Sequence, residues 1–167
     1  MLGDDSRQSD EEHGNMNGEV GFSIIPTTQF GKFSLIGKLG GDGVTEVFLG
    51  FVQGPDDTRK IVVVKKLHKR FEMDPSFADS FLEEALIAER LDHPNIAKFY
   101  EIGASDESTY FSSQYVEGQD LDQIQRICNA SQKKIPEPVL ARIAIDVLSA
   151  LEYAHGITDP EISITGV

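Results

Sequence analysis

Five short stretches rich in apolar residues are separated by turn-forming residues, which is the pattern of β-strands. The third stretch has a β-branched centre at residues 61–64, and the Gly-Pro-Asp-Asp sequence at 54–57 before it favours a tight turn. The five stretches cover residues 32–39, 46–53, 59–67, 93–103 and 108–116. We therefore predict an antiparallel sheet of five strands.

Apolar residues recur at helical spacing between the third and fourth predicted strands and again after the fifth. They predict a helix over 73–91, which Asp74 can cap and Pro75 can open, and a longer helix over 137–155. A short helix is predicted at about 120–130. The apolar face of the longest helix consists of Val139, Leu140, Ile143, Val147, Leu148 and Leu151. The order β-β-β-α-β-β followed by two helices predicts an α+β protein.

The composition limits the location and the partners of the protein. The chain has 167 residues, 40% of them hydrophobic and 26% charged, which fits one globular domain or slightly more. A formal net charge of −13 argues against broad binding to nucleic acid or to an anionic membrane. Because there is one cysteine, Cys128, and no apolar run long enough to span a bilayer, we predict a cytoplasmic protein. Residues 1–28 are polar and acidic, and we predict that they form a disordered leader.

A glycine-rich turn between the first two predicted strands is the first candidate for chemistry. It lies in the stretch LGGDGVTEVFLG, from Leu39 to Gly50. Taken alone, this turn fits an ordinary hairpin better than a phosphate site. Lys65 on the third strand and Glu84 on the first helix are equally weak signals when each is considered singly. Their combination, in this order along the chain, is far more specific.

The combination extends to the segments VVVKKLH, FLEEALIAERLDHPNI, YFSSQYVEGQDL and RIAIDVLSALEYAH. With these segments the chain resembles the protein kinase family, specifically the eukaryotic-like serine/threonine kinases of bacteria. The resemblance runs from about Phe30 to Val167, and it implies that the protein binds ATP. It also implies a kinase small lobe at 29–117, with five strands and one helix, followed at 118–167 by the first helices of an incomplete large lobe.

The resemblance implies roles for particular charged residues. Lys65 would bind the α- and β-phosphates of ATP, and Glu84 would hold the lysine ammonium group in place. Glu83 competes for the second role, but the frame set by Lys65 favours Glu84. Strand alternation places Lys66 on the opposite face of the sheet. Asp120 would either bind the ribose or cap the helix that follows it, and both possibilities stay open.

The resemblance also implies a set of residues around the adenine ring. Val47 and Val63 would sandwich the ring, and Ser113 would occupy the gatekeeper position at the back of the pocket. The backbone of Gln114 and Val116 would bind the edge of the adenine. The implied nucleotide site is completed by Leu39 and Gly40.

The glycine loop departs from the family pattern G-x-G-x-x-G-x-V. On this chain the pattern falls at Gly40, Asp42, Thr45 and Val47, so only the first glycine and the valine match. The carboxylate of Asp42 would repel a phosphate, unless the side chain turns outward or a metal ion intervenes. We therefore predict that ATP binds weakly.

A second departure concerns catalysis. The sequence contains no H-R-D, D-F-G or A-P-E segment. In the family these segments supply the residue that accepts the substrate proton and the ligands of magnesium. We therefore predict that no catalytic residue is present, that the 167 residues are inactive alone, and that Mg²⁺ binds only if the missing large lobe is supplied.

The helix over 137–155 would lack its usual packing partners in such a chain. We expect the segment after about 118 to be loosely held, to fold back on the small lobe or to pair with another chain. The alternative function is accordingly a non-catalytic docking or regulatory module. It would bind a partner protein, or a second copy of this chain, through helix 137–155.

Overall fold

The computed structural model describes residues 23–106 and 108–157. Within these residues there are six strands and three α-helices. The strands are β1 Ser23–Phe30, β2 Phe33–Gly41, β3 Thr45–Gln53, β4 Arg59–Leu67, β5 Phe99–Ser105 and β6 Ser108–Gln114. The helices are α1 Pro75–Glu89, α2 Leu121–Ala130 and α3 Glu137–Gly156. All strand pairs are antiparallel, and the sheet order is β1-β2-β3-β4-β6-β5.

The α+β prediction is confirmed, but the predicted number of five strands is wrong because β1 was missed. This strand lies at the edge of the sheet, and of its eight residues only Phe30 is buried. It contains Pro26, which an edge strand tolerates and which weakens the strand pattern in the sequence. The strand begins inside the stretch assigned to a disordered leader. The rest of that leader, residues 1–22, lies outside the described residues.

Two predicted strand ends are also corrected by the structure. The fourth predicted strand began at residue 93, but the corresponding β5 begins at Phe99. A turn precedes it, in which the Ile96 amide donates to the His93 carbonyl at 3.0 Å. The fifth predicted strand extended to residue 116, whereas β6 ends at Gln114. The three helices agree with their predicted bounds to within two residues at each end.

One face of the sheet curls around an aromatic core. The side chain of Tyr110 on β6 meets the rings of Phe30 and Phe33 edge to face, with centroids 5.4 and 5.2 Å apart. Such contacts add to the stabilisation from apolar burial. The curl brings the β1–β2 turn against β5, where Lys32 forms an ion pair with Glu101. The buried residues of this cluster are Phe30, Phe33, Leu35, Phe48, Val62, Val64 and Tyr110.

Helix α1 covers the other face of the sheet. Asp74 caps the helix by accepting a hydrogen bond from the Ser76 amide at 3.0 Å, and Pro75 follows at the first helical position. Both predictions for this helix start are confirmed. Phe81 and Ala85 are buried against Leu67 of β4 and Phe111 of β6. This packing fixes the rotation of α1 about its axis and therefore the direction of its polar residues.

Helices α2 and α3 pack differently. Among the described residues, none in either helix is buried. Contacts to the segment before β5 hold α3: the Asn95 amide group donates to the Asp146 carbonyl at 3.1 Å, and the rings of His93 and Tyr153 stack at 5.2 Å. In the described part of the chain, no helix combines the length and hydropathy needed to cross a membrane.

Candidate functional site

Antiparallel register places the predicted site residues in one row across the sheet. Gly40 of β2 lies opposite Val47 of β3, and Val47 lies opposite Lys65 of β4. Lys65 in turn lies opposite Phe111 of β6. Since directly paired residues share a face, Val47 and Lys65 project toward the side covered by α1.

Lys65 and Glu84 form an ion pair between the sheet and α1. The Lys65 ammonium nitrogen lies 2.7 Å from each carboxylate oxygen of Glu84. The packing of Phe81 and Ala85 orients the helix so that Glu84 faces β4. The Lys65 side chain is 21% exposed and that of Glu84 is 51% exposed, so the pair opens to solvent. A cation fixed in this way at an open surface can bind an anion such as a phosphate.

The neighbouring lysine lies on the opposite face, as predicted. Lys66 pairs with Glu46 at 3.3 Å and lies over the rings of Phe30 and Phe48. Burial opposes ionisation of Glu46, but hydrogen bonds and charge from Lys38 and Lys66 bring its pKa below the ordinary value. Lys66 is therefore held by its own polar cluster and does not reach Glu84.

The valines predicted to contact adenine also share this face. Val63 lies opposite Leu49 and Ser113 in the two adjacent strand pairs. Val47 and Val63 are both half-buried, as is Leu39 near the end of β2. These positions form an apolar surface beside the ammonium group of Lys65. A flat apolar ligand carrying an anionic group would match this arrangement.

The segment after β6 continues from the same surface. The Gln114 amide donates to the Lys98 carbonyl at 2.7 Å, and the Gln114 side chain accepts from the Lys98 amide at 3.2 Å. These bonds fix Gln114 at the end of the strand. Val116, two residues on, is 65% exposed. Gln114 is exposed as well, and the contact of this backbone with adenine stays a prediction.

Asp120 caps α2. Its carboxylate accepts from the Gln123 amide at 2.7 Å, and the Gln123 side chain accepts from the Asp120 amide at 3.2 Å. This reciprocal arrangement is a capping box. The capping alternative for Asp120 is confirmed, while its role toward a ribose stays a prediction.

The glycine loop is closed by its own aspartate. The Asp42 carboxylate accepts hydrogen bonds from the Val44 and Thr45 amides at 3.0 and 2.7 Å. It also accepts from the Thr45 hydroxyl at 3.1 Å. The backbone bonds from Thr45 and Val44 lower the pKa of Asp42 below its ordinary value. The side chain therefore folds onto the loop instead of turning away from it.

Arg70 is a residue of the site region that the sequence did not single out. Its guanidinium donates to the carbonyl of Gly43 at the tip of the loop, at 2.6 Å. Arg70 lies in the short 3₁₀ turn Lys69–Phe71 after β4. The contact joins residues 27 positions apart, and no spacing rule connects a turn arginine to a loop carbonyl. Gly43 has φ +83°, a conformation that favours glycine.

A metal centre is not evident in the described part of the chain. There, no group of three or more histidine, cysteine, aspartate or glutamate residues is placed to hold a metal ion. The donors in contact with the loop include its own backbone amides, the Thr45 hydroxyl and the Arg70 guanidinium.

Comparison with known families agrees with this geometry. The family model described as the protein kinase domain matches residues 33–158. The tyrosine-protein kinase MasK of Myxococcus xanthus is 31% identical over 137 residues, covering 81% of this chain and 21% of its own length. The serine/threonine-protein kinase PrkC of Bacillus subtilis is 31% identical over 125 residues, covering 75% of this chain and 18% of its own length.

A solved structure gives the same result for the fold. The crystal structure of the Mycobacterium tuberculosis PknI kinase domain matches with a TM-score of 0.58 and 27% identity. The match covers 80% of this chain and 51% of that domain. The chain thus spans about half of the kinase domain and about a fifth of the two curated relatives. The chain belongs to the protein kinase family, in the group of eukaryotic-like kinases of bacteria.

Proposed function

We propose that this chain, of the serine/threonine kinase type, binds ATP weakly in a cleft on the sheet face that carries Val47, Val63 and Lys65. The observation that carries the proposal is the contact of Lys65 with both carboxylate oxygens of Glu84, at 2.7 Å each. Kinases of this family use such a pair to position the α- and β-phosphates. The family as a whole uses ATP together with Mg²⁺.

The remaining contacts follow from the position of each residue on the same face. Val47 and Val63 contact the adenine from one side, since both lie on the same face of the sheet, with Leu39 and Gly40 beside them and Ser113 at the back. The backbone of Gln114 and Val116 binds the edge of the ring. The Asp120 carboxylate can accept from the ribose only where the capping hydrogen bond from the Gln123 amide leaves it free to do so.

We propose further that these 167 residues do not transfer phosphate by themselves. Phosphoryl transfer depends on positioning and on charge stabilisation by metal ions. The printed sequence holds no H-R-D or D-F-G segment, and no metal-ligand group is formed within residues 23–106 and 108–157. What this region supplies is the orientation of the nucleotide.

A nucleotide titration with two adjacent lysine variants tests the binding proposal. Lys65→Ala removes the ammonium that would contact phosphate, and we expect it to weaken ATP binding at least about tenfold. Lys66→Ala is the matched control, since it lies on the opposite face and contacts Glu46. We expect its ATP affinity to stay within about twofold of the parent. Equal effects of the two substitutions would contradict the assignment of Lys65.

The same proteins test the absence of transfer. Incubation with labelled ATP, Mg²⁺ and a protein substrate should give no phosphoprotein above background. Transfer that Lys65→Ala abolishes and Lys66→Ala retains would show that the 167 residues are catalytically complete. Serine or threonine as the acceptor is itself part of the proposal. The name of PrkC supports it, whereas the name of MasK points to tyrosine.

A second candidate function is a docking or regulatory module that acts through α3. The observation in its favour is the exposure of three aliphatic side chains: Ile145 by 61%, Val147 by 52% and Leu148 by 64%. Exposed aliphatic residues on one helix are a common feature of protein interfaces. We propose self-association or binding of a partner protein at this helix.

Sedimentation at increasing concentration tests the self-association form of this candidate. A dimer that forms in the micromolar range and is lost in Leu148→Asp would support it. A parent protein that stays monomeric throughout the range would contradict self-association. The matched control is Ile61→Asp, which changes an aliphatic residue that is 42% exposed on β4, away from α3.

A further inference from the structure

The glycine loop holds a carboxylate at the position where its family relatives place the second glycine. This carboxylate, from Asp42, accepts hydrogen bonds from the Val44 and Thr45 amides at 3.0 and 2.7 Å. In kinases the glycine-rich loop covers the phosphates of ATP. A carboxylate and a phosphate oxygen are alike in charge and in their need for donors. Two donors of the loop are therefore already bound to an anion that belongs to the protein.

The end of β2 and the start of β3 lie close together at the base of the loop. A Cβ added at Gly41 would lie 2.5 Å from the Thr45 carbonyl oxygen, which is closer than real contacts allow. The Asp42 amide donates to that same carbonyl at 3.3 Å. Thr45 itself is buried, with 7% exposure. The loop is thus closed across its base as well as over its amides.

The tip of the loop is held from the other side by the segment after β4. The His68 amide donates to the Val44 carbonyl at 2.9 Å, and Arg70 donates to the Gly43 carbonyl at 2.6 Å. The Val44 side chain packs against the buried cluster under α1. Opening the loop would require these contacts to break together. The closed form therefore resists the rearrangement that would release the amides.

We propose that Asp42 acts as a built-in phosphate mimic that makes the cleft select adenosine-like ligands with few or no phosphates over ATP. This inference rests on the proposed nucleotide-binding function and names its ligand class. The apolar surface around Val47 and Val63 is unaffected by Asp42, so the adenine part of the site stays available. The β- and γ-phosphates meet a negative charge and occupied amides in place of free donors. Lys65 offsets part of this loss through its contact with the inner phosphates.

Titration of three proteins with adenosine, ADP and ATP tests the proposal. Asp42→Gly removes both the charge and the acceptor, whereas Asp42→Asn removes the charge and keeps an oxygen that can accept from the two amides. In the parent we expect adenosine to bind more tightly than ATP, by up to about tenfold. We expect ATP affinity to rise about 100-fold in Asp42→Gly and about tenfold in Asp42→Asn. Adenosine affinity should change less than about twofold in either variant.

Several outcomes would overturn the inference. If Asp42→Asn and Asp42→Gly bound ATP equally well, the charge of Asp42 alone would weaken ATP binding. Occupation of the Val44 and Thr45 amides by Asp42 would then have no effect on the phosphates. Unchanged ATP affinity in both variants would mean that Asp42 does not affect the phosphates. A gain in ATP affinity on adding Mg²⁺ that occurs in the parent but not in Asp42→Asn would make Asp42 a metal ligand instead. Failure of all three proteins to bind adenosine or ATP would instead reject the proposed nucleotide site.

The backbone amides provide a direct readout that does not depend on affinity. In proton–nitrogen spectra, ATP should shift the Val44 and Thr45 amide signals of Asp42→Gly, because phosphate then accepts from them. The same signals of the parent should not move on addition of ATP. Movement of equal size in the parent would contradict the proposal. Thermal unfolding of each variant confirms that the loop substitution leaves the fold intact.

Discussion

The sheet with α1 and the pair of helices α2 and α3 are stabilised in different ways. The first region contains two clusters of buried apolar residues, one on each face of the sheet. Among the described residues, the second region has no buried residue and is tied to the first by a few polar and aromatic contacts. Folding stability therefore resides mainly in the sheet.

Apolar residues of the two regions also differ in how far they are covered, although both regions show an apolar pattern in the sequence. Val62 and Val64 on β4 are fully enclosed, whereas Leu140 and Leu151 on α3 are 43% and 45% exposed. A periodic apolar pattern reports which side of an element is hydrophobic. It does not report whether that side is covered. The exposed apolar residues of α3 therefore contribute less to stability than the enclosed valines of β4 do.

The largest expected effect compares one residue from each region. Phe33 is 1% exposed and packs on Tyr110, so Phe33→Ala should lower the free energy of unfolding by about 3–5 kcal/mol. Leu148 on α3 is 64% exposed, and Leu148→Ala should change that free energy by less than about 0.5 kcal/mol. Urea unfolding followed by circular dichroism measures both. A similar loss in the two variants would mean that α3 has a covered core of its own.

A second comparison of the two regions uses one glycine from each. Gly31 has φ +52°, and a Cβ there would lie 2.7 Å from the Ser105 hydroxyl oxygen. Gly31→Ala should therefore lower the free energy of unfolding by about 1–2 kcal/mol. Gly156 at the end of α3 has no atom within 4 Å of an added Cβ. Gly156→Ala should leave stability unchanged or raise it by up to about 1 kcal/mol, because alanine favours the helix.

The same unfolding measurements decide the outcome for the glycine pair. A loss in Gly156→Ala as large as that in Gly31→Ala would show a tight contact at the end of α3. No loss in Gly31→Ala would mean that the β1–β2 turn can relax away from β5. The second result would also question the curl of the sheet, since that turn brings Lys32 to Glu101.

The next effect concerns the contact that joins the two regions. Tyr153 stacks on His93, and its hydroxyl accepts from the Asp92 amide at 3.2 Å. Tyr153→Ala removes both interactions, and we expect hydrogen exchange in α3 to become about tenfold faster. Exchange in β3 and β4 should stay unchanged. Hydrogen exchange measured by mass spectrometry gives both values in one experiment.

The matched control for this contact lies on the same helix. Arg142 pairs with Asp146 at 2.9 Å, four residues away, and the Arg142 side chain is 74% exposed. Arg142→Ala should change exchange in α3 by less than about twofold, because exposed pairs of this kind contribute little. Faster exchange throughout the sheet in Tyr153→Ala would contradict the division into two regions. It would show that α3 supports the core.

Much of the fold and the central ion pair could be predicted from the sequence. The order of strands and helices follows from local patterns, and Lys65 with Glu84 follows from the family spacing. The contact confirms the choice of Glu84 over Glu83. Strand β1 could not be predicted in this way, because an edge strand with one buried residue lacks an apolar pattern. β1 forms a strand because it pairs with β2, and its own residue pattern does not predict that pairing.

The state of the glycine loop needed the three-dimensional structure. The sequence identified Asp42 as a departure and left open whether its side chain turns outward. Aspartate often bonds to backbone amides two or three residues ahead, so the D-G-V-T stretch did contain a signal for this turn. The Arg70 contact had no such signal, because it joins the loop to a distant turn. The sequence therefore indicated hydrogen bonds between neighbouring residues, but it did not indicate contacts between loops that are far apart along the chain.

The smallest expected effect is confined to this loop and depends on pH. Hydrogen bonds from the Thr45 and Val44 amides lower the pKa of Asp42, so the unfolded chain takes up its proton at a higher pH than the folded loop does. The loop contacts should be complete above the ordinary range of aspartate and be lost as the pH falls through the lowered pKa. The guanidinium of Arg70 also contacts the loop, where it donates to the Gly43 carbonyl. In proton–nitrogen spectra the Val44 and Thr45 amides should titrate together in the parent and stay constant in Asp42→Asn. Amides that titrate equally in both proteins would mean that another group controls the loop, and the carboxylate would then not be what closes it.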